Sequence, residues 1–148
     1  MIRKAVAADE AAIRACAEQA YARYVAVIGR KPAPMVADYG AQIAAGLVHV
    51  VVSEGEGLQG FIVFFLKNTA MLLENVAVRP EAAGKGMGRS LTAYCEAEAQ
   101  RLGLTAVRLY TNEKMVENLS IYSRLGYVET GRRIKDGFNR VFFEKRLD

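Results

Sequence analysis

One stretch near the middle of the chain limits the possible folds more than any other: Val78-Arg79-Pro80-Glu81-Ala82-Ala83-Gly84-Lys85-Gly86-Met87-Gly88-Arg89-Ser90-Leu91. It reads as the end of an apolar strand, a turn, three alternating glycines and the start of a long amphipathic helix. Glycine lets the backbone come close to a ligand because no Cβ intervenes. The helix start adds N–H groups without intrahelical acceptors and the positive end of a helix dipole. Together they make a site for a phosphate or pyrophosphate. The spacing is not a dinucleotide fingerprint, because Arg89 stands where G-x-G-x-x-G requires its last glycine. Nor is it a P-loop, since no glycine precedes a Lys-Ser or Lys-Thr pair.

The chain around this segment reads as alternating short elements. Residues 1–6 form a strand. Asp9 is a plausible N-cap, and Ile13, Cys16, Ala17, Ala20, Tyr24 and Val27 recur at helical spacing, predicting one helix to about Ile28. Gly29-Arg30-Lys31-Pro32-Ala33-Pro34 breaks it, and a second helix is expected over 36–45, ending at Gly46. Apolar strands follow at 47–53, 58–67 and 70–78, separated by turn-like residues, as in an antiparallel meander. A helix over 87–102 places Met87, Leu91, Tyr94, Cys95, Ala99 and Leu102 on one face, and Gly103 stops it. A strand at 105–110, a helix around Asn118, and strands at 127–135 and 138–146 complete the chain. Asp136-Gly137 between the last two is a type I′ hairpin signal. The order is β-α-α-β-β-β-α-β-α-β-β. The expected class is α+β, with a mixed, mainly antiparallel sheet flanked by helices. The 70–78 and 105–110 strands are joined by a helical crossover and should be parallel.

Composition excludes several functions. The 148 residues fit a single domain with a sizeable core, and 52% are hydrophobic, which rules out bulk disorder. No apolar run reaches the roughly 18 residues needed to span a membrane. Met1-Ile2-Arg3-Lys4-Ala5-Val6 is too short and too polar afterwards for a signal peptide, so a cytoplasmic protein is expected. The net charge of +4 arises after Gly60, before which acids and bases balance. That excess suits a phosphorylated small molecule, and it lacks the dense basic stripe of a nucleic-acid binder. Cys16 and Cys95 sit among apolar residues and read as core thiols. His49 is the only histidine, too few ligands for a metal site.

Two segments carry a resemblance to a known family. The Gly84-Lys85-Gly86-Met87-Gly88-Arg89 order is similar to the acyl-CoA pyrophosphate loop of the GNAT superfamily of N-acetyltransferases. In that loop Gln or Arg is followed by two residues, Gly, one residue, then Gly or Ala. Gly86 and Gly88 fit the two small positions, while Ala83 departs from the Gln/Arg position. Asn118-Leu119-Ser120-Ile121-Tyr122-Ser123-Arg124-Leu125-Gly126-Tyr127 resembles the other hallmark, N-x-x-x-x-Y-x-x-x-G-[FY]. The resemblance runs from the strand near Leu72 to the C-terminal hairpin and is weakest over the first half. It implies a GNAT-like fold with a V-shaped gap between the 70–78 and 105–110 strands, where pantetheine lies. It also implies acetyl-CoA as cosubstrate and a primary amine, on a small molecule or a peptide, as acceptor.

The residue roles follow from that resemblance. Val76, Ala77, Val78, Gly84, Lys85, Gly86, Met87, Gly88, Arg89 and Asn118 would hold the cosubstrate. A main-chain N–H near Val76 or Val78 would stabilise the oxyanion if the strand carries a bulge. Tyr122 would point its hydroxyl at the thioester sulfur and protonate the leaving thiolate. Glu74 and Asn75 interrupt an apolar strand, a costly place for a carboxylate, and Glu74 is the candidate general base, directly or through a water. An equally open reading makes it a solvated or ion-paired Glu. Tyr21, Tyr24, Arg30 and Met35 sit where related enzymes build the acceptor cleft, and Arg132 and Arg133 are candidates to reach it. A homodimer is left open. The competing reading is a catalytically silent acyl-CoA-binding sensor or interaction module on the same fold.

Overall fold

In a computed structural model of the chain, which describes residues 1–147, the strands are β1 (Ile2–Lys4), β2 (Val48–Ser53), β3 (Gly57–Lys67), β4 (Ala70–Val78), β5 (Ala106–Asn112), β6 (Val128–Lys135) and β7 (Phe138–Arg146). The helices are α1 (Glu10–Tyr21), α2 (Tyr24–Ile28), α3 (Tyr39–Ala44), α4 (Met87–Arg101) and α5 (Val116–Arg124). The strands hydrogen-bond in the order β1-β2-β3-β4-β5-β7-β6. β4 and β5 are parallel, and β1–β2, β2–β3, β5–β7 and β6–β7 are antiparallel. This is the expected α+β class, with the expected parallel pair. It has one helix more than expected before β2.

The fold divides into two compact units, Met1–Phe64 with Asn75–Tyr94, and Phe65–Glu74 with the chain from Cys95 onward. In the first unit α1 buries Ile13, Cys16, Ala17 and Tyr21 at helical spacing. The expected single helix to Ile28 is instead two: α1 ends at Tyr21, a turn covers Ala22 and Arg23, and α2 ends at Gly29 with φ 93°. Nothing in the local sequence marks that break. Asp9 does not cap α1 with its side chain. Its carboxylate accepts from Val6 N at 2.8 Å and is held by Arg3 at 2.8 and 3.0 Å, so Arg3 pulls its pKa below the usual carboxylate value. The helix expected over 36–45 starts later, because Asp38 is its N-cap and accepts from Ala41 N at 3.0 Å. Gly60 on β3 has a steric reason. A Cβ there would lie 2.7 Å from the Ala77 carbonyl oxygen.

In the second unit the parallel ladder covers Met71↔Val107 to Leu73↔Leu109, and β5 pairs β7 along its whole length. Alternation on β5 buries Val107 and Leu109 and turns Arg108 outward. The β6–β7 turn has Asp136 at φ 55° and Gly137 at φ 80°, as a type I′ turn requires. Cys95 and Ala99 of α4 are fully buried, but Leu102 is 52% exposed. Leu102 lies past the last residue of α4, so it does not continue the buried face. Glu96 on α4 accepts from Tyr127 Oη at 2.9 Å and from Lys145 Nζ at 3.1 Å. Burial, together with the Glu96 charge, pushes the Tyr127 hydroxyl far above its ordinary pKa. Gly126, with φ 94°, leads the chain out of α5 against the Lys145 stem.

Candidate functional site

The predicted residues fall in both units, and each set has its own geometry. In the first unit the loop before α4 is built on glycine. Gly84 and Gly86 both have φ 81°, a region that β-carbon-bearing residues rarely adopt, and a Cβ at either would meet nothing within 4 Å. Gly88 follows inside the first turn of α4, where a Cβ would lie 3.8 Å from Val78 Cγ2. Ser90 N donates to Gly86 O at 3.0 Å, so the helical hydrogen bonds begin there and the preceding N–H groups of the turn lack intrahelical acceptors. Lys85 and Arg89 are exposed, and neither has an acidic partner among the described residues. This is an open, positively biased backbone cradle of the kind that fits a pyrophosphate.

The end of β4 in the same unit is anchored by a buried polar chain. The Tyr21 hydroxyl donates to Asn75 Oδ1 at 2.8 Å, with the Val76 carbonyl at 3.0 Å as a second acceptor. Asn75 Nδ2 donates to Tyr39 Oη at 2.9 Å, and Tyr39 Oη donates to the Pro34 carbonyl. Tyr21, from the acceptor set, is thus brought to Val76, from the cosubstrate set. Tyr24 is buried, with its hydroxyl accepting from Arg23 Nη2 at 2.9 Å. Arg30 is exposed, and Met35 is half-buried at the end of a short 3-10 turn. Ala77 is buried, whereas Val76 and Val78 are half-buried.

In the second unit Glu74 is half-buried and accepts from the Tyr110 hydroxyl at 3.0 Å. Burial first, then the Glu74 charge, pushes the Tyr110 pKa up to about 12, so this hydroxyl stays protonated and donates at neutral pH. Tyr122 on α5 packs its ring against Tyr127 and Phe143, with centroids 5.9 and 6.0 Å away. Its hydroxyl has no hydrogen-bond partner among the described residues, and burial raises its pKa well above the ordinary tyrosine value. A phenol shifted that way is better matched to donating a hydrogen bond to a thiolate than to surrendering its proton outright. Asn118 is committed locally, donating from Nδ2 to Thr111 Oγ1 at 3.4 Å and to Met115 Sδ at 3.6 Å. Arg132 is bound to Glu129 at 2.9 Å, while the Arg133 guanidinium lies 3.6 Å over the Phe142 ring.

The acetyltransferase (GNAT) domain family matches residues 44–129, more than half of the chain. The chain belongs to this family. Acetyl transfer is the family's general activity. Solved GNAT structures share the fold over almost the full length. PaiA N-acetyltransferase from Thermoplasma acidophilum, in complex with coenzyme A, gives a TM-score of 0.80 at 18% identity, covering 99% of this chain and 98% of that one. The ribosomal-protein-S18-alanine N-acetyltransferase from Escherichia coli gives 0.74 at 18% identity, covering 99% and 92%. The mycothiol acetyltransferase of Pseudarthrobacter chlorophenolicus is 46% identical over 52 residues, which is 35% of this chain and 16% of that protein. This GNAT chain therefore matches only a minor part of the length of that curated relative.

Two sets of hydrogen-bond partnerships in this GNAT chain escaped the sequence reading. Tyr110 lies one residue beyond the Leu73↔Leu109 pair, next to Glu74, and is recognisable only once the parallel register is known. Asn75 shared the apolar strand with Glu74, yet its partners come from α1 and α3, more than thirty positions away in sequence.

Proposed function

We propose that this GNAT chain moves the acetyl group of acetyl-CoA to a primary amine, of a small molecule or a peptide, by direct attack in a ternary complex. The observation that carries the proposal is the pair of left-handed glycines, Gly84 and Gly86, opening onto the first turn of α4. The bound coenzyme A of the PaiA neighbour supports the choice of anion.

Acetyl-CoA, once bound, supplies an activated thioester carbonyl. The N–H groups of Gly84 to Arg89 and the charges of Lys85 and Arg89 hold its pyrophosphate. A Val76 or Val78 N–H donates to the carbonyl oxygen as negative charge develops. Glu74 takes the amine proton, directly or through a water, as the C–N bond forms. Tyr110 fixes that carboxylate by donating to Oε1. Tyr122 donates its hydroxyl to the sulfur as the C–S bond breaks, stabilising the departing thiolate.

A thermal-shift titration tests the binding step. Acetyl-CoA at about 100 times its Kd should add about 2.7 kcal/mol of stability, and NAD or ATP should add much less. Gly86→Val should abolish the shift, because valine disfavours a φ of 81° and intrudes on the space a pyrophosphate needs. An equal response to NAD would overturn the assignment. A screen of amines for free CoA release tests the chemistry. Binding without turnover of any amine would favour the silent acyl-CoA-binding module.

A further inference from the structure

The outward face of β5 and β7 in the second unit carries more positive charge than its own carboxylates balance. Arg108 and Tyr110 of β5 stand opposite Glu144 and Phe142 of β7, and Arg140 of β7 stands opposite Arg133 of β6. The β6 ladder shifts register between Glu129 and Gly131, an irregularity of the type that re-aims side chains beside binding sites. A cavity of about 220 Å³ opens on this face, lined by Tyr110, Phe142, Lys67, Arg108, Arg133 and Lys135 among others. Arg108 is paired with Glu144 at 3.4 Å. Lys67, Arg133, Lys135 and Arg140 have no carboxylate partner among the described residues.

Arg140 does not line the cavity but packs against Tyr110, which does. It is only 7% exposed, and its guanidinium lies 4.6 Å from the Tyr110 centroid and 5.0 Å from that of Phe138. Its Nε makes a long hydrogen bond, 3.5 Å, to the Lys135 carbonyl, and its Nη donors have no acceptor among the described residues. The two ring faces offset part of the cost of burying this cation, and its Nη groups keep contact with solvent. A planar fork with free donors matches a carboxylate or phosphate. The Tyr110 hydroxyl, on the same side chain that meets Arg140, is bonded to Glu74.

We propose that this face binds the acceptor's own negative charge. The acceptor is then a small anionic amine with a flat apolar body, seated on Tyr110 and Phe142 with its anionic group on Arg133 and Lys135, while Arg140 beside Tyr110 adds positive charge from outside the cavity wall. The cavity has room for a group of amino-acid size. This rests on the N-acetyltransferase reading for the word acceptor, but the anion site itself is testable without turnover.

The probe is 3-phenylpropionate, which has the aromatic body and the carboxylate but no amine. Titrated into the full chain and followed by NMR, it should bind at least 10-fold more tightly than 3-phenylpropanol, perturb Tyr110 and Phe142 resonances, and weaken with added salt. Arg133→Gln, at an exposed position that should not threaten folding, should weaken it several-fold. Arg140→Gln, which removes a charge just outside the wall, should weaken it about 2-fold, and the acetyl-CoA thermal shift should be unchanged in both. In a CoA-release assay, phenylalanine should then exceed 2-phenylethylamine in kcat/KM by at least 10-fold. No binding of the probe, or equal binding of the alcohol, overturns the proposal. Probe binding without turnover of any amine would uphold the anion site and remove the transferase reading instead.

Discussion

Glu74 and Asn75 are neighbours on β4, both polar in an otherwise apolar strand, and they meet different fates. Asn75 is 8% exposed, and both ends of its amide are bonded, to Tyr21 and to Tyr39. Glu74 is half-buried with one hydrogen-bond partner among the described residues, the Tyr110 hydroxyl. Successive strand residues point to opposite faces, so one residue of offset separates a closed polar network from an open carboxylate. A fully satisfied buried group stabilises a single arrangement, whereas a partly satisfied one retains capacity for a substrate. The same contrast separates Tyr127, bonded to Glu96, from Tyr122, whose hydroxyl has no partner among the described residues.

The largest expected effect is on the closed side. Asn75→Ala leaves the buried Tyr39 hydroxyl without its Asn75 donor and removes the Asn75 acceptor of the Tyr21 hydroxyl, and should cost about 3 kcal/mol in denaturant unfolding. A loss under 1 kcal/mol would show that the network contributes little. On the open side, Tyr122→Phe should lower kcat roughly 10²-fold, equivalent to about 2.7 kcal/mol of barrier, with the melting temperature nearly unchanged. A matching loss of stability would move Tyr122 into the structural class.

Glu74→Gln sharpens the comparison further, because the amide can still accept from Tyr110. A simple amine has a pKa near 10, so about one molecule in a thousand is free base at pH 7. The variant should lose about 10-fold in kcat/KM at pH 7 and recover as pH approaches that of the amine. A uniform defect at all pH values would make Glu74 a structural partner of Tyr110.

The smallest effect is on alkaline stability. The folded Tyr110 pKa, about 12, lies above the ordinary value of 10.0, so its contribution is fully present below pH 10 and is lost as pH rises through 12. Tyr110→Phe should make the fall in stability over that window shallower by up to about one proton. An unchanged slope would mean that the hydroxyl ionises in the folded state as readily as in the unfolded one.

Much of the fold was legible because its signals are local. The 70–78 strand and the Asp136-Gly137 turn came out as read, since apolar runs and positive-φ residues act through nearest neighbours. The α1–α2 break and the late start of α3 were not anticipated, and the Asp9 carboxylate turned to Arg3 rather than to the helix. Among site residues, the glycines at 84 and 86 were legible for the same reason: a left-handed backbone can be written in one residue type. The partners of those residues were not.

The sequence by itself determined the strand–glycine–helix unit, the order of most elements, the apolar faces of the helices and the presence of a carboxylate in β4. These depend on propensity and periodicity, which act over a few residues. Only the tertiary structure decided that Asn75 closes on Tyr21 and Tyr39, that Glu74 receives Tyr110, and that Arg140 lies between two aromatic rings with donors to spare. Those outcomes require strand register and the approach of residues tens of positions apart. Hydrogen bonding and burial select among such pairings only after the chain has folded.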